Sequence, residues 1–586
     1  VSTPRTASTR RAPKRLAAVA PGLAGLADYQ VRWLPKDLVA GLVLTALLVP
    51  QGMAYAELAG LPAITGLYTS ILCLLGYAVF GPSRILVLGP DSSLGPMIAA
   101  TILPLAGANG DPARAVALAS ALALLTGTIS VLAGVGGLGF VADLISRPTM
   151  IGYLNGLALT IFVSQLPKLF GFSVDASGFL GEVTGLVAGI ARGETVPAAL
   201  VVGAAGLAAI LALQRLLPKV PAILVVVVLS ITATAVLGLD ERGVDVVGIL
   251  PAGFPPLTIP DVTLSDLTLL LAGALGIAVV SVADTISTAS AFAARAGRTV
   301  QGGREMTAIG ASNLAAGLFG GFPVSTSSSR TAVAEQAGAK SQLTGIVGAV
   351  AITLILLFAP GLLRDLPQPT LAAVVIAASL SLADWRGTVR LHRQRRTEFT
   401  LSIAAFLGVV ALGVLPGIAL AVALSIGNVF RRAWWPYQTV LGRVPDLPGF
   451  HDVHSYPHAE RLPGCVIVRF DAPLFFANTR TFRERVQALA AGDPGLRWVV
   501  VAAEPITDVD TTAADMLHDL DVWLNEREVH LVFAEMKDPV REKIDRYELL
   551  GTIDPSHFYP TVDAAVTAYR ELTGAGWRPA AAGAGD

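Results

Sequence analysis

Residues 320–336 read GGFPVSTSSSRTAVAEQ, so five hydroxyl side chains, Ser325 to Ser329, run directly into Arg330. The flanks, AIGASNLAAGLFG and LTGIVGAVAITLILLFAPGLL, are apolar and long enough to lie in a bilayer. Hydroxyl donors beside a fixed positive charge suit an anion. They do so above all at a helix start, where unpaired N–H groups and the positive dipole end favour negative charge. A second stretch, LGPDSSLGP from Leu88 to Pro96, has the same form: Gly/Pro punctuation, then small hydroxyl residues. Taken alone, the first run also suits a Ser-rich loop at the membrane surface. The matching partner favours two facing half-helix starts, with Ser92, Ser327, Ser328 and Ser329 as donors and Arg330 as counter-charge.

Three further polar residues lie in apolar surroundings, where charge is costly and marks functional candidates. In LGIAVVSVADTISTASAFAARAG, Asp284 stands with Thr288 four residues on and Ser281 three back, spacings that share one helix face. A carboxylate with hydroxyls at that spacing can hold Na+ through oxygen or exchange a proton. It can also pair with Arg330 as internal glue, which is compatible with transport. Asp91 has the wrong sign for an anion site. It is expected either to cap a helix facing away from the site or to carry a coupling proton. Gln51, in VPQGMAYAELAGLP, is expected to line the pocket, and Tyr55 and Glu57 to sit near the outer end of the same segment as interface or packing residues.

The elements that must position these residues follow from composition. The chain has 586 residues, 15% of them charged, and a mean hydropathy of +0.64. That is far from the average soluble protein. Apolar segments near 38–55, 62–80, 90–106, 113–135, 149–166, 196–217, 220–238, 264–292, 304–320, 326–338, 342–363, 369–383, 398–413 and 415–430 predict about fourteen spans. With the N-terminus inside, the basic connections RLLPK, RAGRTVQGGRE, WRGTVRLHRQRRTEF and FRRAWWPY all fall on the inner side, as the positive-inside rule requires. Fourteen spans divide into seven plus seven, and an odd half-repeat must be inverted. Short Gly/Pro-interrupted segments at matching places, third in each half, point to a substrate site at the repeat interface.

The basic, Ser/Thr-rich start, VSTPRTASTRRAPKR, lacks an apolar core with a cleavage site and is expected to be a disordered or amphipathic cytoplasmic segment over residues 1–36. Residues 37–432 are expected to form the membrane domain, 433–462 a linker, 463–573 an α/β domain and 574–586 a disordered tail. The α/β assignment rests on alternation: GCVIVRFDAPLFFAN, RWVVVAAEP and HLVFAEM read as strands between helical stretches. No glycine-rich phosphate loop or metal-ligand histidine spacing occurs, and His451, His454 and His458 in the linker are expected to be solvated. Two cysteines make no disulfide framework, and a net charge of −1 gives no sign of a nucleic-acid partner. No nucleophile–base constellation appears, so an enzyme is not expected, nor a cofactor or a metal beyond a coupling Na+.

The chain resembles the sulfate permease family of anion transporters over nearly its whole length. VPQGMAYAELAGLPAITGLYTS is similar to the family's first-span signature and GFPVSTSSSRTAVAEQAGAKSQLTG to its tenth-span region. The C-terminal part resembles the STAS domain that closes these transporters. The resemblance implies seven plus seven inverted spans, a core moving like an elevator against a gate domain, a homodimer, and an anion held between the third and tenth spans. Ser329 and Arg330 match a serine–arginine pair of prestin-like members, Gln51 a first-span glutamine near the anion, and Asp284 with Thr288 the D-x-x-x-T cation site of sodium–bicarbonate members. Position 91 is small or apolar in several relatives, so Asp91 speaks against simple chloride exchange. Thr511, after Asp510, falls where STAS antagonists carry a phosphorylatable serine, which implies a regulatory modification or a STAS-binding regulatory protein.

The resulting expectation is a bacterial inner-membrane transporter with its N-terminus and STAS domain in the cytoplasm. It would take up sulfate first, bicarbonate or a dicarboxylate next, driven by H+ or Na+. The competing readings are an uncoupled anion channel or exchanger, and a membrane-anchored signalling protein that works through its STAS part.

Overall fold

The computed structural model describes residues 19–107, 111–139, 146–174, 176, 178–217, 220–295, 297 and 299–579. It divides into two compact units, one up to Ser425 and one from Ile426. Of the segments expected to be disordered, 1–36 and 574–586, residues 1–18 and 580–586 lie outside the described residues.

Each of the fourteen apolar segments coincides with a helix. In the first half these are α2 (Leu34–Leu58), α3 (Ala63–Phe80), α4 (Gly95–Ala106), α5 (Pro112–Val135), α6 (Arg147–Phe170), α8 (Pro197–Leu216) and α9 (Ala222–Leu237). The second half supplies α10 (Leu264–Arg295), α11 (Gly302–Leu318), α12 (Ser328–Gln336), α13 (Leu343–Phe358), α14 (Gln368–Leu382), α16 (Arg396–Leu412) and α17 (Val414–Trp434). Among the described residues, eight helical stretches are long and apolar enough to cross a membrane. The third of each half is much too short, 12 residues in α4 and 9 in α12, against the roughly 20 a full crossing needs.

Three helices lie where the sequence suggests connections or tail. α1 (Pro21–Ala27) packs on α3, so the N-terminal segment is ordered before residue 36. α7 (Gly178–Ala191) occupies the connection between the expected spans 149–166 and 196–217; it is apolar but only 14 residues long and carries Glu182. α15 (Trp385–Gln394) is the amphipathic part of the basic inner connection.

The packing sorts the spans into two sets. α2, α3, α4, α5, α10, α11, α12 and α13 pack among themselves, and α6, α8, α9, α14 and α16 form the second set. The first set holds spans one to four of each half, and the second holds later ones. Seams between the sets run where α2 meets α9 and α14. There the Glu57 carboxylate, expected to be a packing residue, accepts a 2.8 Å bond from Gln368 Nε2 on α14. A cleft of about 1060 Å³ opens beside this contact, lined by Glu57, Lys168, Asp245 and Gln368 among others.

The second unit is an α/β domain. Its sheet contains β3 (Gln438–Arg443), β4 (Phe450–Asp452), β5 (Glu460–Arg461), β6 (Cys465–Phe470), β7 (Trp498–Ala502), β8 (His530–Ala534), β9 (Phe558–Tyr559) and β10 (Arg578–Pro579), in the order β10-β5-β3-β6-β7-β8-β9 with β4 beside β3. β6 to β9 are parallel and β3 pairs antiparallel with β6. Alternate strand residues face opposite ways. Val499, Val501, Leu531 and Phe533 pack with α18 (Thr479–Gly492), α19 (Thr511–Asn525) and α20 (Asp538–Arg546). Val500 and Val532 face α21 (Val562–Thr573). The boundaries differ from expectation at both ends. Residues 438–461, read as a linker, build three strands, and Arg578–Pro579, read as tail, pairs with β5. Short strands broken by proline and glycine carry too few alternating residues to be legible.

Candidate anion-binding site

The two punctuated stretches meet. β1 (Leu88–Gly89) and β2 (Ser325–Thr326) pair antiparallel, Leu88 opposite Thr326 and Gly89 opposite Ser325. Ser327 N extends the pairing by donating to Val87 O at 3.1 Å, and Val87 N donates to Thr331 Oγ1. α4 and α12 therefore start on either side of one short ribbon, and each directs unpaired N–H groups out of it.

On the α12 side, Ser327 is the N-cap; its hydroxyl accepts from Arg330 N at 3.4 Å and lies 3.0 Å from Ser329 Oγ. Ser328 and Ser329 are exposed, whereas Arg330 is 1% exposed. Its guanidinium donates from Nη1 to Pro90 O at 2.6 Å and brings Nη2 to 3.7 Å from Asp91 Oδ2. Nε and Nη2 have no hydrogen-bond partner. Arg330 thus pairs with Asp91 across the ribbon, and not with Asp284.

On the α4 side, Asp91 both caps and pairs. Its Oδ1 accepts from Ser93 N at 3.0 Å and Ser93 Oγ at 2.7 Å, while its backbone oxygen accepts from Leu94 N and Gly95 N. Ser93 Oγ also lies 3.4 Å from Asp284 Oδ2 on α10. One buried hydroxyl, 1% exposed, therefore stands between two carboxyl groups. Ser92, 5% exposed, approaches the hydroxyl of Tyr55 on α2.

α10 is stitched to the same ribbon. Ser281 Oγ donates to Val324 O at 2.8 Å, and Thr288 Oγ1 lies 2.8 Å from Ser328 Oγ. The one-turn spacing of Ser281, Asp284 and Thr288 therefore aligns all three along the start of α12. Gln51 is half-buried on α2, one turn from Tyr55 and about one from Leu48, which packs beside Gly89.

The structure gathers Asp91, Ser92, Asp284, Thr288, Ser327, Ser328, Ser329 and Arg330 at one ribbon, with Gln51 on the α2 face behind it. Thr511 is elsewhere, at the first turn of α19 in the second unit, where Asp510 accepts from Ala513 N and Phe476 N. Sequence reasoning passed over Ser93 in favour of its neighbour, and it placed Tyr55 at an outer end, whereas Tyr55 is 4% exposed beside Ser92. The four-residue spacing from Gln51 was the available signal for Tyr55. Nothing in the sequence singles out Asp37 or Glu305. Asp37 binds the start of α13, and Glu305 accepts from Tyr77 and Ser83.

An inverted arrangement of short half-helices, with donors, a buried cation and two carboxyl groups at their meeting point, defines a multi-pass membrane transporter. The sequence profile of the sulfate permease family matches residues 34–405 and that of the STAS domain residues 456–565. The chain belongs to the sulfate permease family of anion transporters. It is 42% identical over 552 residues, 94% of its own length and 98% of the relative's, to a probable sulfate transporter of Mycobacterium tuberculosis. It is 27% identical to sulfate transporter 1.3 of Arabidopsis thaliana, over 92% of this chain and 85% of that one. Among solved structures, murine SLC26A9 in an inward-facing state superposes with a TM-score of 0.88 at 24% identity, covering 97% of this chain and 96% of that one. The transmembrane domain of the cyanobacterial bicarbonate transporter BicA covers 67% of this chain and 98% of its own, with a TM-score of 0.58 at 23% identity.

Proposed function

We propose that the protein takes up sulfate across a bacterial inner membrane together with protons, the first helix set carrying the anion past the second in an elevator-like movement. The observation that carries the proton is the placement of Ser93 between Asp91 and Asp284, beside Arg330. With both carboxylates ionised, the one guanidinium leaves a site of net charge −1, which repels an anion. A hydroxyl has a single proton to donate, so it can bond two carboxyl groups as donor to one and acceptor from the other only if that other is protonated. Taking up one proton brings the site to neutrality, and the helix N-termini with Arg330 then favour the anion. The relative named as a probable sulfate transporter supports sulfate ahead of bicarbonate or a dicarboxylate.

The alternative coupling ion is Na+, which the same geometry also suits. Asp284, Thr288 and Ser328 present oxygens along one face, a donor set that fits Na+. The division of spans into two sets, with every anion-site residue on the first, supports the elevator. A homodimer, a cytoplasmic N-terminus and STAS domain, and a regulatory protein or phosphorylation at Thr511 complete the proposal.

Uptake of radiolabelled sulfate into proteoliposomes tests it. Acid outside accelerates uptake, Na+ is without effect, and Asp284→Asn abolishes uptake while the protein still folds. An absolute Na+ requirement overturns proton coupling, conductive flux without a coupling ion marks a channel, and normal uptake by Asp284→Asn removes that residue from the mechanism. Competition by bicarbonate and dicarboxylates ranks the substrates.

A further inference from the structure

Tyr153 belongs to α6, in the helix set that supplies none of the site residues described above. It is fully buried, at 0% exposure. Its hydroxyl has no hydrogen-bond partner, and it stands within electrostatic reach of the Asp284 carboxyl. The other polar side chain near it on α6 is satisfied. Asn155 donates to Thr388 Oγ1 at 2.9 Å and accepts from Asp384 N at 2.7 Å, both at the start of α15, which packs against α6. Two residues along a helix turn the side chain by about 200°, so Tyr153 points away from those partners. Close approach to α16 uses yet another face, at Gly152, where a Cβ would lie 1.9 Å from Ser402 O.

A buried phenol hydroxyl without a partner is disfavoured, and each such group in a folded protein calls for an explanation. Arg330 Nε and Nη2 and Thr326 Oγ1 at the site are buried and unpartnered too. These groups come from both helix sets, and the nitrogens and hydroxyls among them are all able to donate.

We propose that Tyr153 is an anion-contacting residue contributed by the second helix set, its hydroxyl donating to an oxygen of the bound oxyanion. The inference rests on the anion reading of the ribbon site. It adds a consequence: if the first set moves against the second, the Tyr153 bond exists in one alignment only, so the tyrosine tightens the anion on one side of the cycle.

Tyr153→Phe removes the hydroxyl and little else, and two measurements on the purified full chain have opposite expected signs. Without anion, the variant melts at or above the wild-type temperature, because an unpaired buried hydroxyl is gone. With potassium sulfate, the rise in melting temperature seen in wild type shrinks, and the KM for sulfate uptake increases about tenfold, the value of one lost hydrogen bond. A variant that responds to sulfate as wild type does, with unchanged KM, overturns the proposal. So does a variant that melts lower without anion, since its hydroxyl then has a structural partner. Bicarbonate, fumarate and chloride are run in parallel. If one of these stabilises wild type and sulfate does not, the sulfate reading falls and Tyr153 is judged with that anion. If none does, both readings fall.

Discussion

Asp91 turns an anion site with one buried arginine into a site whose charge depends on protons. Arg330 spends one nitrogen on Pro90 O and faces Asp91 with another, so its charge is partly neutralised before any substrate arrives. Coulomb attraction between unit charges a few ångströms apart is worth on the order of a few kcal/mol at a protein-like dielectric. Replacing Asp91 by Asn keeps the shape of the turn and removes the competing charge. The expected outcome is sulfate uptake with a flattened pH dependence and a KM at neutral pH lowered roughly tenfold, measured as initial rates across external pH. Unaltered pH dependence would assign Asp91 to capping alone, a role its bonds to Ser93, Leu94 and Gly95 already show it performing.

The half-helices are held by their ends more than by their length. α12 has nine residues, below the length at which a helix is stable by itself, and it depends on Ser327, the β1–β2 ribbon and the α10 hydroxyls. Gly89 lets the ribbon come close: a Cβ there would lie 3.2 Å from Leu48 Cδ2 and 3.4 Å from Arg330 Cζ. The end of this region is fixed by Asp37 on α2, whose carboxyl accepts from Lys340 N at 2.6 Å, Ser341 Oγ at 2.8 Å and Thr344 Oγ1 at 3.1 Å. Asp37 is 0% exposed, so removing it strands buried donors. Asp37→Ala is expected to destabilise the membrane part by about 3 kcal/mol. A melting curve followed in detergent checks it, and an unchanged curve would mean that solvent reaches those donors.

At the scale of the whole chain, the membrane part and the STAS domain have separate cores. The STAS core holds one carboxyl with a pH signature. Asp521 on α19 is 2% exposed and accepts from Asn525 Nδ2 at 3.0 Å. Burial pushes its pKa from 3.8 up to about 6. A folded value above the unfolded one means that proton binding favours the folded domain. That contribution is complete below the unfolded value and is lost as pH rises through about 6. Asp521→Asn is therefore expected to raise STAS stability more at pH 8 than at pH 5. Chemical denaturation at the two pH values measures this, and an equal effect at both would show that the carboxyl stays solvated.

Composition and local punctuation by themselves determined the solvent, the spans and the pairing of two half-helices. Apolar runs of bilayer length admit few structures, and Gly/Pro with hydroxyls is a local signature that survives without tertiary information. The residues Asp91, Asp284 and Arg330 were legible because charge in an apolar segment is conspicuous. Their partners were not. Whether Arg330 meets Asp284 or Asp91 depends on how β1, β2 and α10 converge, and β1 is separated from the other two by some 190 to 240 positions in the chain. For the same reason only the packed fold selected Ser93 over Ser92, brought Tyr55 beside the site and buried the Tyr153 hydroxyl without a partner. Sequence spacing fixes which side chains share a helix face, and tertiary packing alone decides what that face meets.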